Sequence, residues 1–401
     1  MAMRSGWLLC AIAVVVAAGL WLSCGSGATG FIYVANQGSN PGAVTTFAFG
    51  LSNGLLRVAN DVLSPVGQPA PTGAQPTALI FNPAQTFAYV ANTASSDISG
   101  YTVNHDGSLA PMSGTTSIVG HNTPAANPVA LATDSGGHFL FVANQGSAAA
   151  TPRIPGNIAV FAIGTGGNLS PIACSSATPD CWLVSVPVPP GASYLPTPSA
   201  LTVSNQGNFL YVTDAANGTV VGYPFDPTSG SLQSPLASTP VTVGTTPSAA
   251  FSPPTTGTTF LYVANSGSGD IYGFQVGSDG TLLPNATLKT SSGIAPVAML
   301  SDPQARYLYA LDNVSNLVFE FRINAVTGQL TPLSPPSAST GANPVSFTLR
   351  SDGTVNGNFW LFTSNFTANS VSTFLLTSTT GVLSPLPQQI TPQAPFGIAS
   401  R

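Results

Sequence analysis

Charged residues are scarce in this chain. Only 8 of its 401 residues are Lys or Arg, 13 are Asp or Glu, and the formal net charge is −5. A protein that binds nucleic acid presents a cluster of cations to the phosphate backbone, so this composition excludes that class of function. The same scarcity argues against binding to anionic membrane surfaces through charge.

Residues that hold metals or transfer protons are equally few. The chain has three histidines, His105, His121 and His138, and one glutamate, Glu320. The histidines do not have the H-x-x-x-H or H-E-x-x-H spacing of zinc enzymes. We therefore expect no metal site and no cofactor.

Glycine, proline and apolar residues dominate instead. The chain has 41 Gly and 36 Pro, and 43% of its residues are apolar. This composition is too hydrophobic for disorder and too rich in turn formers for long helices, so short strands with many turns are expected. A chain longer than roughly 300 residues either splits into domains or repeats a small unit.

The first residues have the pattern of an export leader. Arg4 precedes an apolar run over residues 7–22, and its 16 residues are fewer than the roughly 20 of a membrane-spanning helix. The segment LWLSCGSG, residues 20–27, resembles a bacterial lipobox, which implies that Cys24 becomes the lipidated N-terminus. Ordinary cleavage after Ala28 is the alternative.

These features divide the chain into a signal over residues 1–23, a short tether over 24–30 and a single domain over 31–401. The protein is then expected in the periplasm or on the cell surface, either lipid-anchored or secreted. Cys174 and Cys181 flank a short loop that contains a proline, and in an oxidising compartment this favours a disulfide over two free thiols. Their spacing is not C-x-x-C, which argues against a redox-active pair.

One pattern of four phrases recurs seven times along the chain. The first phrase is an aromatic or apolar run, such as FIYVAN at residues 31–36, which predicts a strand closed by a turn-forming residue. The seven closing residues are Asn36, Asn92, Asn144, Asp214, Asn265, Asp312 and Asn365. The second phrase is a further strand with a central aromatic residue: Phe47, Tyr101, Phe161, Tyr223, Phe274, Phe321 and Phe374.

The third phrase is a Gly-x-Leu turn, in which glycine supplies the positive φ of a tight hairpin. The turn glycines are Gly54, Gly107, Gly167, Gly230, Gly280, Gly328 and Gly381. The last phrase is a strand that begins with proline, and these prolines are Pro76, Pro128, Pro198, Pro247, Pro296, Pro344 and Pro395.

Four strands in a unit of about 50 residues are typical of a β-propeller blade. We therefore predict an all-β fold, a seven-bladed β-propeller with four-stranded antiparallel blades. The chain opens on the first phrase and closes on the last, APFGIAS at residues 394–400, so we expect the N- and C-terminal strands to pair in one blade. The alternative, a solenoid, requires polar capping repeats, which the sequence lacks.

Two insertions interrupt the pattern between the third and fourth units. The first is SAAATPRIPG at residues 147–156, and the second includes the Cys174 to Cys181 loop and VPVPPGASYLPTP at residues 186–198. Because loops carry function more often than scaffold does, these segments are candidates for a specific role. The alternative is a loop that only packs over the disc and is pinned by its disulfide.

The repeated YVAN phrase, the Gly-x-Leu turn and the Pro-led strand together resemble the YVTN and lactonase-type β-propeller family, relatives of a bacterial 6-phosphogluconolactonase. The resemblance covers residues 31–401 and implies Arg and His shortly after the strand-opening prolines, facing a central cleft. Here these positions read Thr77-Ala78, Val129-Ala130, Ser199-Ala200, Ser248-Ala249, Val297-Ala298, Val345-Ser346 and Phe396-Gly397. Lactone hydrolysis needs a proton acceptor and a donor to the oxyanion, and these residues supply no charged group for either role.

We therefore predict a monomeric binding or scaffolding protein with no catalytic residue, held at the membrane by lipid. Its ligand is a protein, a peptide or a carbohydrate-derived molecule that the sequence does not identify. The alternative is a lactone hydrolase with its catalytic groups on loops, using His121 with Asp214 or Arg153.

Four residues are candidate ligand contacts: His121, Arg153, Asp214 and Asp312. For the two aspartates, turn capping is the simpler expectation. Glu320 and Arg322 lie two residues apart on one strand and therefore on the same face. This spacing predicts an ion pair between them, which is a structural role.

Replacing Cys24 by Ser should move the exported chain from the membrane fraction to the soluble fraction, because the thiol that carries the lipid is lost. Fractionation of expressing cells, followed by immunoblotting, measures the change. Cys10→Ser is the matched control, since Cys10 lies in the leader and its loss should leave the fractionation unaltered. A Cys24→Ser protein that stays in the membrane fraction would contradict the lipid anchor.

Overall fold

The described part of the chain has defined limits. The computed structural model describes residues 29–401 apart from 39–40, 51–57, 60–61, 64, 113–115, 118–126, 148–149, 151–152, 175–180, 193, 206–207, 256, 285–289, 352–356, 358 and 392. Cys24, Gly54 and His121 therefore lie outside the described residues. Within the described ranges, no helix is long and apolar enough to cross a membrane.

The described residues form strands joined by turns. In chain order the strands are β1 (Thr29–Asn36), β2 (Ala43–Gly50), β3 (Val58–Ala59), β4 (Val62–Leu63), β5 (Ala70–Pro71), β6 (Pro76–Phe81), β7 (Phe87–Asn92), β8 (Asp97–Val103), β9 (Leu109–Pro111), β10 (Thr116–Ser117), β11 (Pro128–Thr133), β12 (Phe139–Asn144), β13 (Asn157–Ile163), β14 (Leu169–Pro171), β15 (Leu183–Ser185), β16 (Pro198–Val203) and β17 (Phe209–Asp214). They continue with β18 (Thr219–Pro224), β19 (Val241–Thr242), β20 (Pro247–Phe251), β21 (Thr259–Asn265), β22 (Asp270–Val276), β23 (Leu282–Pro284), β24 (Thr290–Ser291), β25 (Pro296–Ser301), β26 (Tyr307–Asp312), β27 (Leu317–Ile323), β28 (Leu330–Ser339), β29 (Pro344–Ser351), β30 (Phe359–Asn365), β31 (Ser370–Leu376), β32 (Leu383–Pro385), β33 (Gln389–Ile390) and β34 (Pro395–Ser400).

These strands build a seven-bladed β-propeller with antiparallel blades, which confirms the predicted fold. In order from the inner strand outwards, the blades are β34-β1-β2-β5, β6-β7-β8 with β9 and β10, β11-β12-β13 with β14 and β15, β16-β17-β18-β19, β20-β21-β22 with β23 and β24, β25-β26-β27-β28, and β29-β30-β31 with β32 and β33. They are numbered blades 1 to 7 in this order. Where two short strands share the fourth position, both pair with the same third strand.

Pairing of the two chain ends closes the ring, as predicted. In β34, Ala399 is opposite Tyr33 of β1 and Ile398 is opposite Val34. The backbone groups of Phe31 and Arg401 also exchange two hydrogen bonds, of 3.0 and 2.9 Å. Strand β1 begins at Thr29, two residues before the expected start of the domain, because residues 29 and 30 extend the pairing with β2.

The second strand of each blade is covered on both faces. Every residue of β12, β21, β26 and β30 is buried. A strand enclosed by neighbouring blades has no face for polar residues to occupy, so its sequence is a continuous apolar run. This is the physical reason for the repeated phrase.

Aromatic side chains of one blade pack against the glycine turn of the next. A Cβ added to Gly107, which has a φ of +85°, would lie 2.4 Å from the Phe31 ring. The same contact joins Phe139 to Gly230, where the distance is also 2.4 Å. Glycine is therefore required at these positions for two reasons: the backbone has a positive φ, and the aromatic ring occupies the space that a side chain would fill.

Buried tyrosines reinforce these contacts. The hydroxyl groups of Tyr89, Tyr211, Tyr262 and Tyr309 donate to the carbonyl oxygens of Gly167, Gly280, Gly328 and Gly381, over 2.6 to 2.7 Å. Burial raises the pKa of each of these tyrosines, which keeps the hydroxyl protonated as the donor. Each bond joins a blade to the glycine turn of its neighbour.

The predicted ion pair between Glu320 and Arg322 is wrong. Glu320 is fully buried, accepts a 3.0 Å hydrogen bond from the backbone N–H of Leu383 in blade 7, and has its second carboxylate oxygen unpaired. Arg322 is exposed, and its guanidinium carbon lies 5.2 Å from the centre of the Tyr307 ring. Blade 7 covers the glutamate but not the arginine, so the two side chains lie in different environments.

Replacing Glu320 by Gln should remove a pH-dependent loss of stability. Burial raises the pKa of Glu320 to about 7, so the folded state favours the protonated acid. The stabilisation is present below the ordinary pKa and is lost as the pH rises through 7, so the free energy of unfolding of the unmodified chain should fall by about 2 kcal/mol between pH 5 and 8.

Urea unfolding at pH 5 and pH 8 measures this difference. Glu320→Gln should reduce it to near zero. Asp226→Asn should leave it unaltered, because backbone N–H donors from Thr228 and Ser229 lower the pKa of Asp226 and its carboxylate is ionised at both pH values. If the free energy of unfolding of Glu320→Gln depended on pH as strongly as that of the unmodified chain, the assignment of this pH dependence to Glu320 would be wrong.

Candidate functional site

The inner strands surround a central channel. In six of the blades, the pairing of the inner strand shifts register between its first proline and the residue two positions later. The residue between them is left out of the ladder, as in a β-bulge. The channel contains a cavity of about 700 Å³, and residues of all seven inner strands line it.

The wall of this cavity carries no ionisable side chain among the described residues. Small and aliphatic side chains, such as Ala78, Leu131, Ala200 and Met299, form most of it, together with Phe347. The positions where the family resemblance implies Arg and His are also in this wall, and they are hydroxyl or apolar residues here. The wall thus offers a ligand apolar contact and neutral hydrogen-bonding groups.

Three hydroxyl groups of this wall already have hydrogen-bond partners in the next blade. Ser199 donates a 2.6 Å hydrogen bond to the carbonyl oxygen of Pro247, the first residue of the next inner strand. Ser248 and Thr77 make the same kind of bond to Pro296 and Pro128. These hydroxyls fasten neighbouring blades together, and no described side chain is a base that could activate them as nucleophiles.

The two insertions form a second pocket at one mouth of the channel. Its volume is about 500 Å³, and it is lined by Asn127, Gln145, Gly146, Ser147, Arg153, Ile154, Tyr194, Leu195, Pro196, Thr197 and Ala216. Gln145 also lines the channel cavity, so the pocket and the channel adjoin at this residue. We call this second pocket the mouth pocket.

Backbone hydrogen bonds hold the insertions in place. Ser147 and Ile154 exchange two bonds of 2.9 and 3.0 Å, which close the first insertion into a hairpin-like loop. Gly156 donates to the carbonyl oxygen of Pro196 over 3.0 Å and so ties the first insertion to the second. The prediction that these segments are candidates for a specific role is consistent with the pocket that they build.

Arg153 is the one cation among the described residues of the mouth pocket. It is exposed, and neither an ion pair nor a hydrogen bond joins its side chain to another described residue. Tyr194 and Leu195, which are 63% and 40% exposed, lie on the same pocket. Arg153 is thus placed where it could meet a ligand, and that contact stays a prediction.

The disulfide lies away from both cavities. Cys174 and Cys181 are bonded, with an S–S distance of 2.07 Å, which confirms the predicted pair. They pack against the hydrophobic cluster that blades 2, 3 and 4 share, beside Trp182, whose ring centre lies 5.7 Å from that of Phe161. The bond therefore fixes the outer edge of blade 3 rather than a ligand site.

The two candidate aspartates have the contacts of turn caps. Asp214 accepts from the backbone N–H groups of Thr197 and Ala216 at 2.8 and 3.1 Å. Asp312 accepts four backbone N–H bonds, two of them from Ile294 and Ala295. Burial acts to raise the pKa of Asp312, but the N–H donors lower it below its usual value. Contact of either carboxylate with a ligand stays a prediction.

The histidines do not converge with these groups among the described residues. His105 and His138 are exposed turn residues, and Nδ1 of His138 lies 3.4 Å from the carboxylate of Asp134. His121 lies outside the described residues. In the described part of the chain, no three His, Cys, Asp or Glu side chains lie close enough together to hold a metal ion.

The sequence analysis missed two amide side chains, Gln145 and Asn313, which both line the channel cavity. Each directly follows the residue that closes the first phrase of its blade, Asn144 or Asp312. The residue that follows the closing residue of the first phrase differs among the seven repeats. Comparing it across the repeats could have identified these two amides.

Comparison with known proteins agrees with this fold. The model of a family described as lactonase, 7-bladed beta-propeller, matches residues 68–180 and 203–347. Among curated proteins, none matches this chain.

Three solved structures illustrate the likeness. A periplasmic gluconolactonase from Pseudomonas aeruginosa superimposes with a TM-score of 0.73 at 18% identity, over 93% of this chain and 99% of that one. A 6-phosphogluconolactonase candidate from Bacteroides fragilis gives 0.70 at 20% identity, over 93% and 98%. A protein from Lactobacillus plantarum gives 0.71 at 17% identity, over 93% and 100%. At these low identities the likeness concerns the fold alone.

Proposed function

Since the chain belongs to the family of lactonase seven-bladed β-propellers, we propose that it is an exported member that binds a small neutral ligand without hydrolysing it. The ligand occupies the channel cavity and reaches the mouth pocket. The protein acts at the cell envelope, as a binding or scaffolding component.

The observation that carries this proposal is the uncharged wall of the channel cavity. Hydrolysis of a lactone requires a base to take a proton from water and donors that stabilise the oxyanion. The described residues of the wall include neither an acid nor a base, and the hydroxyls of Thr77, Ser199 and Ser248 donate to backbone carbonyls of the next blade. The described wall of the channel cavity therefore has groups that can bind a ligand and no acid or base that could hydrolyse it.

Export and a lipid anchor at Cys24 rest on the leader, and the disulfide between Cys174 and Cys181 is compatible with them. Disulfides persist in oxidising compartments and are rare in the cytosol. Because β1 begins at Thr29, a tether over residues 24–28 would hold the propeller close to its membrane, since five extended residues span at most about 18 Å.

Lactone hydrolysis with relocated groups is the second candidate function, and Arg153 is the observation that favours it. An unpaired guanidinium in the mouth pocket could donate to an oxyanion. Asp214 is a poor base for such a reaction, because its carboxylate already accepts hydrogen bonds from the backbone and from Asn217. This leaves His121 as the candidate base, and it lies outside the described residues.

Lactone turnover tests the proposal. The purified full chain should not hydrolyse a panel of neutral and phosphorylated sugar lactones above the uncatalysed rate, because no described group of the channel wall can act as base. The release of acid, followed with a pH indicator, measures the rate.

His121→Ala and Arg153→Ala are assayed in parallel, with circular dichroism to confirm that each variant folds. Turnover by the unmodified chain that falls roughly tenfold or more in either variant would contradict a purely binding role and place the catalytic groups at the mouth pocket.

A further inference from the structure

The blades are joined around the channel by a recurring hydrogen bond, and this bond is missing at two places. In the recurring form, a side chain near the mouth of one blade donates to a backbone carbonyl at the start of the next inner strand. From the exceptions we propose that Gln145 and Asn313 are the residues that bind the ligand's polar groups, and that this ligand is a neutral, hydroxyl-rich small molecule.

Five of the seven blade junctions have the recurring bond. The donors are Gln37 to Pro76, Thr77 and Thr93 to Pro128, Ser199 to Pro247, Ser248 to Pro296 and Ser364 to Phe396. Side chains of two chemical types, an amide and hydroxyls, thus perform one task, which indicates that the carbonyl at this point needs a partner.

The two exceptions are the junctions of blade 3 with blade 4 and of blade 6 with blade 7. There no described side chain donates to the carbonyl oxygen of Pro198 or Pro344. Valine, at Val129 and Val297, occupies the position of the donating hydroxyls. These are also the blades in which the residue after the first phrase is Gln145 or Asn313.

Both amides lack a side-chain partner among the described residues. Oδ1 of Asn313 is buried without any donor, and a buried acceptor left unpaired is unfavourable for folding. Gln37, which holds the same position in blade 1, uses its amide to donate to Pro76 over 2.9 Å. Gln145 has the same side chain at the same position and makes no such bond to a described residue, and it lines both the channel cavity and the mouth pocket.

The placement of the two amides suits a ligand that bridges the channel. Blades 3 and 6 are three blades apart in a ring of seven, so Gln145 and Asn313 face each other across the cavity rather than along one wall. The described wall between them is uncharged, and its Thr77, Ser199 and Ser248 hydroxyls already donate to backbone carbonyl groups. Two amides on opposite sides of such a channel fix the orientation of a bound molecule.

The chemistry of a carboxamide identifies the class of ligand. An amide both donates and accepts, and a hydroxyl group can satisfy both functions at once. A carboxylate only accepts and an ammonium group only donates, so neither satisfies both functions of an amide, and no charged side chain among the described residues lines the channel cavity to pair with either. A neutral polyol or sugar therefore fits better than an ionic ligand.

This inference rests on the proposed binding function, and a stability comparison tests it without knowledge of the ligand. Gln37→Ala should lower the thermal unfolding midpoint of the full chain by roughly 1 to 3 °C, because it removes a bond between blades. Gln145→Ala and Asn313→Ala should leave the midpoint unchanged or raise it. A decrease in the unfolding midpoint of either variant as large as that of Gln37→Ala would show that the amide has a structural role. It would overturn the assignment of that amide to ligand binding.

Titration calorimetry then tests the ligand class with five probes: glucose, sorbitol and maltose as neutral compounds, gluconate as an anion and glucosamine as a cation. We expect at least one neutral probe to bind and its affinity to fall roughly tenfold or more in Gln145→Ala and in Asn313→Ala. Gln37→Ala, the matched control, should retain the affinity.

Three results would overturn the inference: no neutral probe binds, an ionic probe binds as tightly as the neutral ones, or binding survives the loss of both amides. Lactone turnover, measured on the same samples, separates the two proposals. Turnover together with amide-dependent binding would reject the non-catalytic function and keep the amide site. A neutral probe that binds without turnover and without dependence on either amide would keep the binding function and reject the amide site.

Discussion

The contact between an aromatic side chain of one blade and the glycine turn of the next is the interaction on which the rest of this structure depends. A blade of four short strands has two apolar faces and cannot bury either of them by itself. Phe31 on Gly107 and Phe139 on Gly230 bring adjacent blades close enough to cover both. Tyrosine hydroxyls add a directional bond at four junctions, so the blades are held in register as well as in contact.

Because these contacts lie away from the axis, the channel wall has freedom to vary. The fold requires only an inner strand that begins with proline and, at most junctions, a side chain that donates to a backbone carbonyl at the start of the next inner strand. Ser199 and Thr77 meet that requirement with neutral groups, at positions where the family resemblance implies Arg and His. A propeller of this family can therefore lose its charged cleft and keep its shape, which is why fold and activity must be argued separately.

The sequence predicted the architecture well, because each blade repeats the same physical solution. Closing residues, turn glycines and opening prolines all lie where the repeat placed them, apart from Gly54, which lies outside the described residues. The environment of Glu320 could not be predicted, since strand alternation puts Arg322 on the same face but does not include the neighbouring blade, which covers only the glutamate. Gln145 and Asn313 could not be identified for a related reason. Which amide is free depends on contacts between blades, and no single repeat contains that information.

Ring closure also determines how the molecule responds to mechanical load. Strand β1 lies between β34 and β2 and is hydrogen-bonded to both, and Phe31 and Arg401 exchange backbone bonds beside it. A pull on the chain at Thr29 is therefore directed along a strand that is clamped on two sides, so that many bonds are sheared together rather than opened one at a time. The pairing that joins the two ends therefore places a strand held on both sides, rather than a free edge, at the point where a force on the N-terminal end would act.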